Sequence, residues 1–213
     1  MFYAFLVVAC QLIALTFAQY LAVMKVNDSV FNSFPILKTK RLTLRNILPG
    51  DAEAIFAMRS NQAVNQFIAR DSMLSASDAE TLVQKTNDTF AAKKGIGWAG
   101  LLREHNTIIG SCGFNQIDYP NLRAELGGEL ATSYWGKHIA LEAAQTIVQF
   151  GFEQLELHSI EAKLSPENRG AIHLLECMGF TKEAHFKDRI YFKGKFMDMA
   201  VYSVLKSDFK QSI

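Results

Sequence analysis

Polar and apolar positions alternate along Lys40-Arg41-Leu42-Thr43-Leu44-Arg45, the period of a strand with one buried face. Pro49-Gly50-Asp51 reads as a turn and helix cap ahead of Ala52, Ile55, Phe56 and Met58. Ser77-Asp78-Ala79-Glu80 has the form of a capping box, and Ala79, Leu82, Val83, Thr86 and Phe90 then share a helical face until Gly95 stops it. Ile96 to Arg103 and Thr107 to Phe114 predict a hairpin turning at Glu104-His105-Asn106, and Arg123 to Leu130 predicts a third strand. Between Trp135 and Glu153 the apolar positions Ile139, Ala140, Ala143, Ala144, Ile147, Val148 and Gly151 recur at helical spacing. Leu157 to Leu164 alternates again, Arg169 to Met178 predicts a short helix ended by Gly179, and two strands, His185 to Phe192 and Met197 to Leu205, close the chain through Lys193-Gly194-Lys195. The predicted order is β-α-α-β-β-β-α-β-α-β-β, an α/β layer architecture with a mixed sheet.

Composition narrows the class. Of 213 residues, 49% are hydrophobic and 20% charged, which excludes disorder and supplies a core. Lys+Arg (22) and Asp+Glu (21) nearly cancel, so no electrostatic footprint for nucleic acid exists. Cys10, Cys112 and Cys177 form neither a disulfide framework nor a metal pair, and His105, His138, His158, His173 and His185 lack metal-ligand spacing, so no metal is expected. Cys112 reads as core, and His173 with Cys177 as a contact on one helix face. The expected compartment is the reduced cytoplasm.

Residues 1–24 carry no charge, and their length fits a membrane-spanning helix. Three readings stand: an anchor with the positive flank Lys25, Lys38, Lys40, Arg41 and Arg45 on the cytoplasmic side; a signal peptide cut near Thr16-Phe17-Ala18; or an over-extended start, with Met24 as the natural one. The expected division is therefore an apolar segment at 1–24 and one domain at 25–213, with any membrane contact made through 1–24 alone.

The candidate chemistry lies in Glu125-Leu126-Gly127-Gly128-Glu129-Leu130-Ala131-Thr132-Ser133-Tyr134-Trp135-Gly136-Lys137-His138-Ile139-Ala140. A strand ends, a short turn follows, and a helix begins. Free N–H groups and the partial positive charge of a helix start bind phosphate. Gly136 permits close approach and Lys137 adds a cation; the plainer alternative is an ordinary strand-to-helix turn.

Tyr134-Trp135-Gly136-Lys137-His138-Ile139-Ala140-Leu141-Glu142-Ala143 resembles the acyl-CoA motif [QR]-x-x-G-x-[GA] of the GNAT N-acetyltransferase superfamily, and most closely the YWGKGxAxEA turn of its Rim-type ribosomal-protein branch. Thr39 to Arg45 is similar to that branch's TxRLxLR strand, Ile109 to Phe114 to IGxxGF, Ala124 to Gly127 to AEIG, and Asn168 to Phe180 to NxxSxxxxExxGF. The resemblance spans nearly everything after Met24. It implies that the strand ending at Leu130 and the strand Leu157 to Leu164 splay apart, with the pantetheine arm of acetyl-CoA between them. It also implies main-chain pairing near Leu130, Ala131 and Thr132, a diphosphate on the amides of Trp135, Gly136, Lys137, His138, Ile139 and Ala140, and a further contact from Asn168. The chain departs from the pattern at Trp135 (Gln or Arg), His138 (Gly), Ala171 (Ser) and Leu175, where many relatives carry a Tyr general acid.

The implied reaction is attack of a neutral amine on an acetyl thioester, assisted by a base. Glu125 is the first candidate and Glu129 the second, both on one strand face, with the Leu130 N–H as oxyanion donor. The expected activity is acetyl-CoA-dependent N-acetylation of a primary amine, first a protein N-terminus of the ribosomal-protein type. The alternatives are a small amine (polyamine, antibiotic or amino acid) and a catalytically silent CoA-binding module. A second copy of the chain stands as an open partner.

Overall fold

The computed structural model describes residues 25–104 and 107–210. The apolar segment at 1–24 and the predicted turn at His105-Asn106 lie outside the described residues. The strands are β1 (Leu37–Lys38), β2 (Leu42–Asn46), β3 (Ile96–Leu102), β4 (Ile108–Asp118), β5 (Arg123–Leu130), β6 (Ser159–Leu164), β7 (Thr181–Phe192) and β8 (Lys195–Leu205). The helices are α1 (Ala52–Arg59), α2 (Gln62–Asn65), α3 (Ala76–Ala91), α4 (Ile139–Glu153) and α5 (Arg169–Cys177). One eight-stranded sheet has the order β1-β2-β3-β4-β5-β6-β8-β7, and only β5 and β6 run parallel. The mixed α/β class and the expected element order hold, with β1 and α2 added.

Local chemistry explains the boundaries. Asp51 accepts from the Leu48 N–H and pairs with Arg45 through both oxygens, which fixes the entry to α1. The cap of α3 is Ser75, whose hydroxyl accepts from the Asp78 N–H while Asp78 accepts in return from the Ser75 N–H. That box sits two residues before the expected Ser77–Glu80 one. β4 runs on to Asp118 because Asn115 bulges: Phe114 faces Leu126, yet Gln116 already faces Glu125.

Each face of the sheet carries a core. Trp98, Phe114, Leu126 and Ile160 meet Ile147 and Val148 of α4 in the larger one. On the opposite face Ala99 and Leu101 meet Ile55 of α1 and Ala79 and Val83 of α3. These helices cover the β2–β4 part of that face. Among the described residues, no helix is long and apolar enough to cross a membrane.

Candidate active site

β5 and β6 pair only at Arg123↔Ser159, Ala124↔Ile160 and Glu125↔Glu161. Beyond that level β5 continues to Leu130 along β4, while β6 follows β8 through Ala162, Lys163 and Leu164. A gap therefore opens at the carboxyl ends of the parallel pair, the place where α/β sheets take ligands.

Hydrogen-bond alternation shows what lines the gap. The Ala131 N–H donates to the Ile109 carbonyl at 2.8 Å, so by register Ala131 and Glu129 bond toward β4. Leu130 and Gly128 then turn their main-chain groups toward the departed β6. The Leu130 carbonyl takes the indole N–H of Trp135 (2.8 Å), which leaves the Leu130 N–H aimed into the gap.

Thr132 to Tyr134 form one 3₁₀ turn, closed by the Tyr134 N–H to Ala131 and the Trp135 N–H to Thr132. Gly136 (φ 70°) and His138 (φ 56°) both adopt the left-handed conformation. α4 consequently starts at Ile139, not at Trp135 as the periodicity predicts. Among the described residues, no well-aligned hydrogen bond engages the N–H groups of Gly136, Lys137, His138, Ile139 or Ala140. These free donors at a helix start fit an anionic diphosphate. A Cβ built at Gly136 would meet nothing within 4 Å, so the space in front of the loop is open. The Lys137 ammonium lies 5.5 Å over the Tyr134 ring. Asn168 caps α5, its side-chain oxygen accepting from the Ala171 N–H (3.1 Å), which brings a second helix start to the carboxyl end of β6.

His138 stands where the motif that this loop resembles has glycine, and the loop takes a positive φ there. The side chain is exposed and caps nothing. His138→Gly will raise stability by about 1 kcal/mol, because a left-handed non-glycine residue costs roughly 1–2 kcal/mol. An unchanged or lower urea midpoint would count against this.

The face of β5 opposite α4 carries Glu125, Gly127 and Glu129. The Glu129 side chain is 5% exposed, and both its oxygens are taken: Arg59 Nε and Arg70 Nη2 each donate at 2.6 Å. Glu125 lies at the level where the strands part. Lys163 Nζ is 2.6 Å from its Oε2, and Asn115 Nδ2 is 3.4 Å from its Oε1. Hydrogen bonding to Glu125, opposed by burial, holds the Lys163 ammonium above the usual lysine range. Lys163 also reaches Glu161 (3.1 Å), which pairs with Arg123. Beneath α3 a cleft of about 340 Å³ runs to Ser111, Asn115, Gly127 and Glu129. A larger depression of about 540 Å³ lies along the exposed side of α3, lined by none of the gap residues.

Other candidates fall away. Burial pushes the Cys112 thiol up to about 12, and Leu175 is buried core. Among the described residues, no group of three or more His, Cys, Asp or Glu could hold a metal ion. Sequence reasoning missed the contacts that Arg59, Arg70, Asn115, Lys163 and Arg41 make with candidate residues, and only Asn115 left a signal in the pattern.

The profile of the acetyltransferase (GNAT) domain family matches residues 41–181. The uncharacterized N-acetyltransferase p20 of Bacillus licheniformis is 36% identical over 173 residues, covering 81% of this chain and 97% of that protein. A spermidine N(1)-acetyltransferase of Vibrio cholerae is 25% identical over 169 residues, covering 79% of this chain and 95% of its own. A solved structure from Vibrio cholerae, provisionally assigned as a ribosomal-protein-serine acetyltransferase, superposes with a TM-score of 0.69 at 25% identity, covering 80% of this chain and 97% of that one. Parted strands, free loop amides and these likenesses converge: the chain belongs to the GNAT acetyltransferase family and is an N-acetyltransferase that uses acetyl-CoA.

Proposed function

We propose that the chain acetylates the N-terminal amine of a protein, with the diphosphate of acetyl-CoA on the 136–140 amides (the Trp135 N–H being taken by Thr132) and its pantetheine arm along Gly128 to Leu130. The separation of β5 from β6 beyond Glu125↔Glu161 carries this reading, because it leaves unpaired main chain beside an unpaired helix start. Acetyl-CoA supplies an acetyl thioester, whose carbonyl carbon is the electrophile. The Leu130 N–H donates to the oxygen on which charge develops. Glu125 takes a proton from the amine, directly or through water, once the amine displaces Lys163 from its carboxylate. Glu129, held by two guanidiniums, has no free oxygen for this. With Leu175 in place of an acid, the thiol leaves as thiolate, which its ordinary acidity near pH 8.5 allows at modest cost.

The charge pattern beside Glu129 favours a peptide over a polyamine. Glu129, the carboxylate next to Leu130 on β5, is matched by both Arg59 and Arg70, while Lys163 and Arg123 sit among Glu125, Glu161 and Asp118. A polycation would want an uncompensated acidic surface. Opposite stands the β7–β8 hairpin, whose tip residue Lys193 reaches Asp71, next to Arg70. Its exposed Tyr191 and Phe196 offer apolar contact to a peptide.

Thiol release from acetyl-CoA, measured with N-terminal peptides of ribosomal proteins, with the same peptides blocked at the N-terminus, and with spermidine, tests the acceptor. Unblocked peptides will exceed spermidine at least tenfold in kcat/KM; faster turnover of spermidine would replace this reading with the small-amine one. Glu125→Gln will lower kcat/KM at least tenfold and flatten the acidic limb of the pH–rate profile. An unaltered profile would move the base elsewhere.

A further inference from the structure

Glu142 lies in the first turn of α4, beside the loop amides, where a carboxylate would repel an incoming diphosphate. Its charge is consumed by the chain instead. The Arg41 main-chain N–H donates to Oε1 at 2.8 Å and Arg41 Nε to Oε2 at 2.6 Å. The Thr39 hydroxyl also donates to Oε1, while accepting from the Leu42 N–H (2.8 Å). Burial alone would raise the Glu142 carboxyl, but these bonds from Thr39 and Arg41 together hold it below the usual carboxylate range. The carboxylate is 19% exposed and stays ionised.

Arg41 has a second hold. Its Nη1 donates to the Lys137 carbonyl at 2.8 Å. A trans peptide carries C=O and N–H on opposite edges, so gripping the Lys137 carbonyl turns the His138 N–H the other way. Gly136 and His138 flank this unit in left-handed conformations, with the Lys137 and His138 amides free of chain partners. A flip of the Lys137–His138 peptide would swap a donor for a carbonyl oxygen in that row. Arg41, on the turn into β2, is tied to the loop from 96 residues away.

We propose that Arg41 and Glu142 are positioning residues for the cofactor: Glu142 fixes Arg41, and Arg41 both cancels the Glu142 charge and holds the Lys137–His138 peptide with its N–H toward the diphosphate. This rests on the placement of the diphosphate at residues 136–140. It assigns the β1–β2 turn, remote from the reacting atoms, a part in cofactor affinity.

Calorimetric titration of the full chain with acetyl-CoA tests it, alongside initial rates and a melting curve for each variant. Arg41→Ala will raise Kd and the KM for acetyl-CoA at least tenfold, with kcat at saturating acetyl-CoA within threefold of the parent. Arg41→Lys keeps the stem and the charge but loses the fork, and will still weaken binding at least threefold. The double variant Arg41→Ala with Glu142→Ala will bind more tightly than Arg41→Ala alone, because the unmatched carboxylate is gone. A purely structural role would lower melting temperature without this reversal. If Arg41→Ala and Arg41→Lys bind within twofold of the parent while Gly136→Val loses binding, the positioning role is overturned and the loop placement stands. If Gly136→Val also binds like the parent, the loop placement falls and takes the positioning role with it.

Discussion

Gly136→Val will weaken acetyl-CoA binding at least a hundredfold, roughly 2.7 kcal/mol, while the folded protein survives. Gly136 sits at φ 70°, and a Cβ there meets no atom of the chain within 4 Å. The free protein therefore has room for a side chain but little tolerance for its backbone preference. A β-branched residue resists the left-handed region by roughly 1–2 kcal/mol, which is enough to rotate the loop peptides. Rotation scatters the amides of Lys137 and His138, and any side chain that keeps the loop in place projects into the space a phosphate needs. Both routes strike the ligand harder than the fold. Calorimetry gives the affinity and a urea titration the stability. Binding within threefold of the parent would show that the diphosphate is held elsewhere.

Glu129→Ala will destabilise the fold by about 3 kcal/mol, in the range observed when one member of a buried ion cluster is removed. Its carboxylate is the shared partner of Arg59 on α1 and Arg70 on the loop after α2, both at 2.6 Å. Removing it leaves two guanidiniums beside the β5 face with their partner gone. Arg70→Ala will cost less, because Glu129 keeps Arg59 and Arg70 itself is 21% exposed. Urea unfolding with an unchanged m-value reads both. A loss below about 1 kcal/mol for Glu129→Ala would mean that the arginines find water easily and that Glu129 is available for chemistry.

Much of this architecture is legible in the sequence, because the four longer helices and most strands carry their own period. The 3.6-residue spacing of Ile139, Ala143, Ile147 and Gly151 and the alternation of Leu42 with Leu44 mark the inward faces directly. What escapes has identifiable causes. His138 looks helical from its neighbours, and only a backbone requirement, invisible to side-chain pattern, makes it left-handed. β7 begins at Thr181, before the expected His185, since an exposed edge strand has no apolar period to announce it. The Asn115 bulge did leave a trace: Phe114 and Ile117 are both buried, with two exposed residues between them, which strict alternation forbids. The pairings Arg59–Glu129 and Arg41–Glu142 link residues 70 and 101 positions apart, and no local rule couples such distances. The loop and both glutamates were thus findable, and the groups that hold them were not.

Main-chain pairing joins β5 to β6 at three residue pairs only. The sheet is therefore two panels, β1 to β5 and β6 to β8, sharing a narrow seam, with α4 lying behind both. An arm with amides of its own, laid in the slot above that seam, would serve as a short strand of foreign material and rivet the panels together. Occupation of the slot would then show as a higher melting temperature with acetyl-CoA than without it.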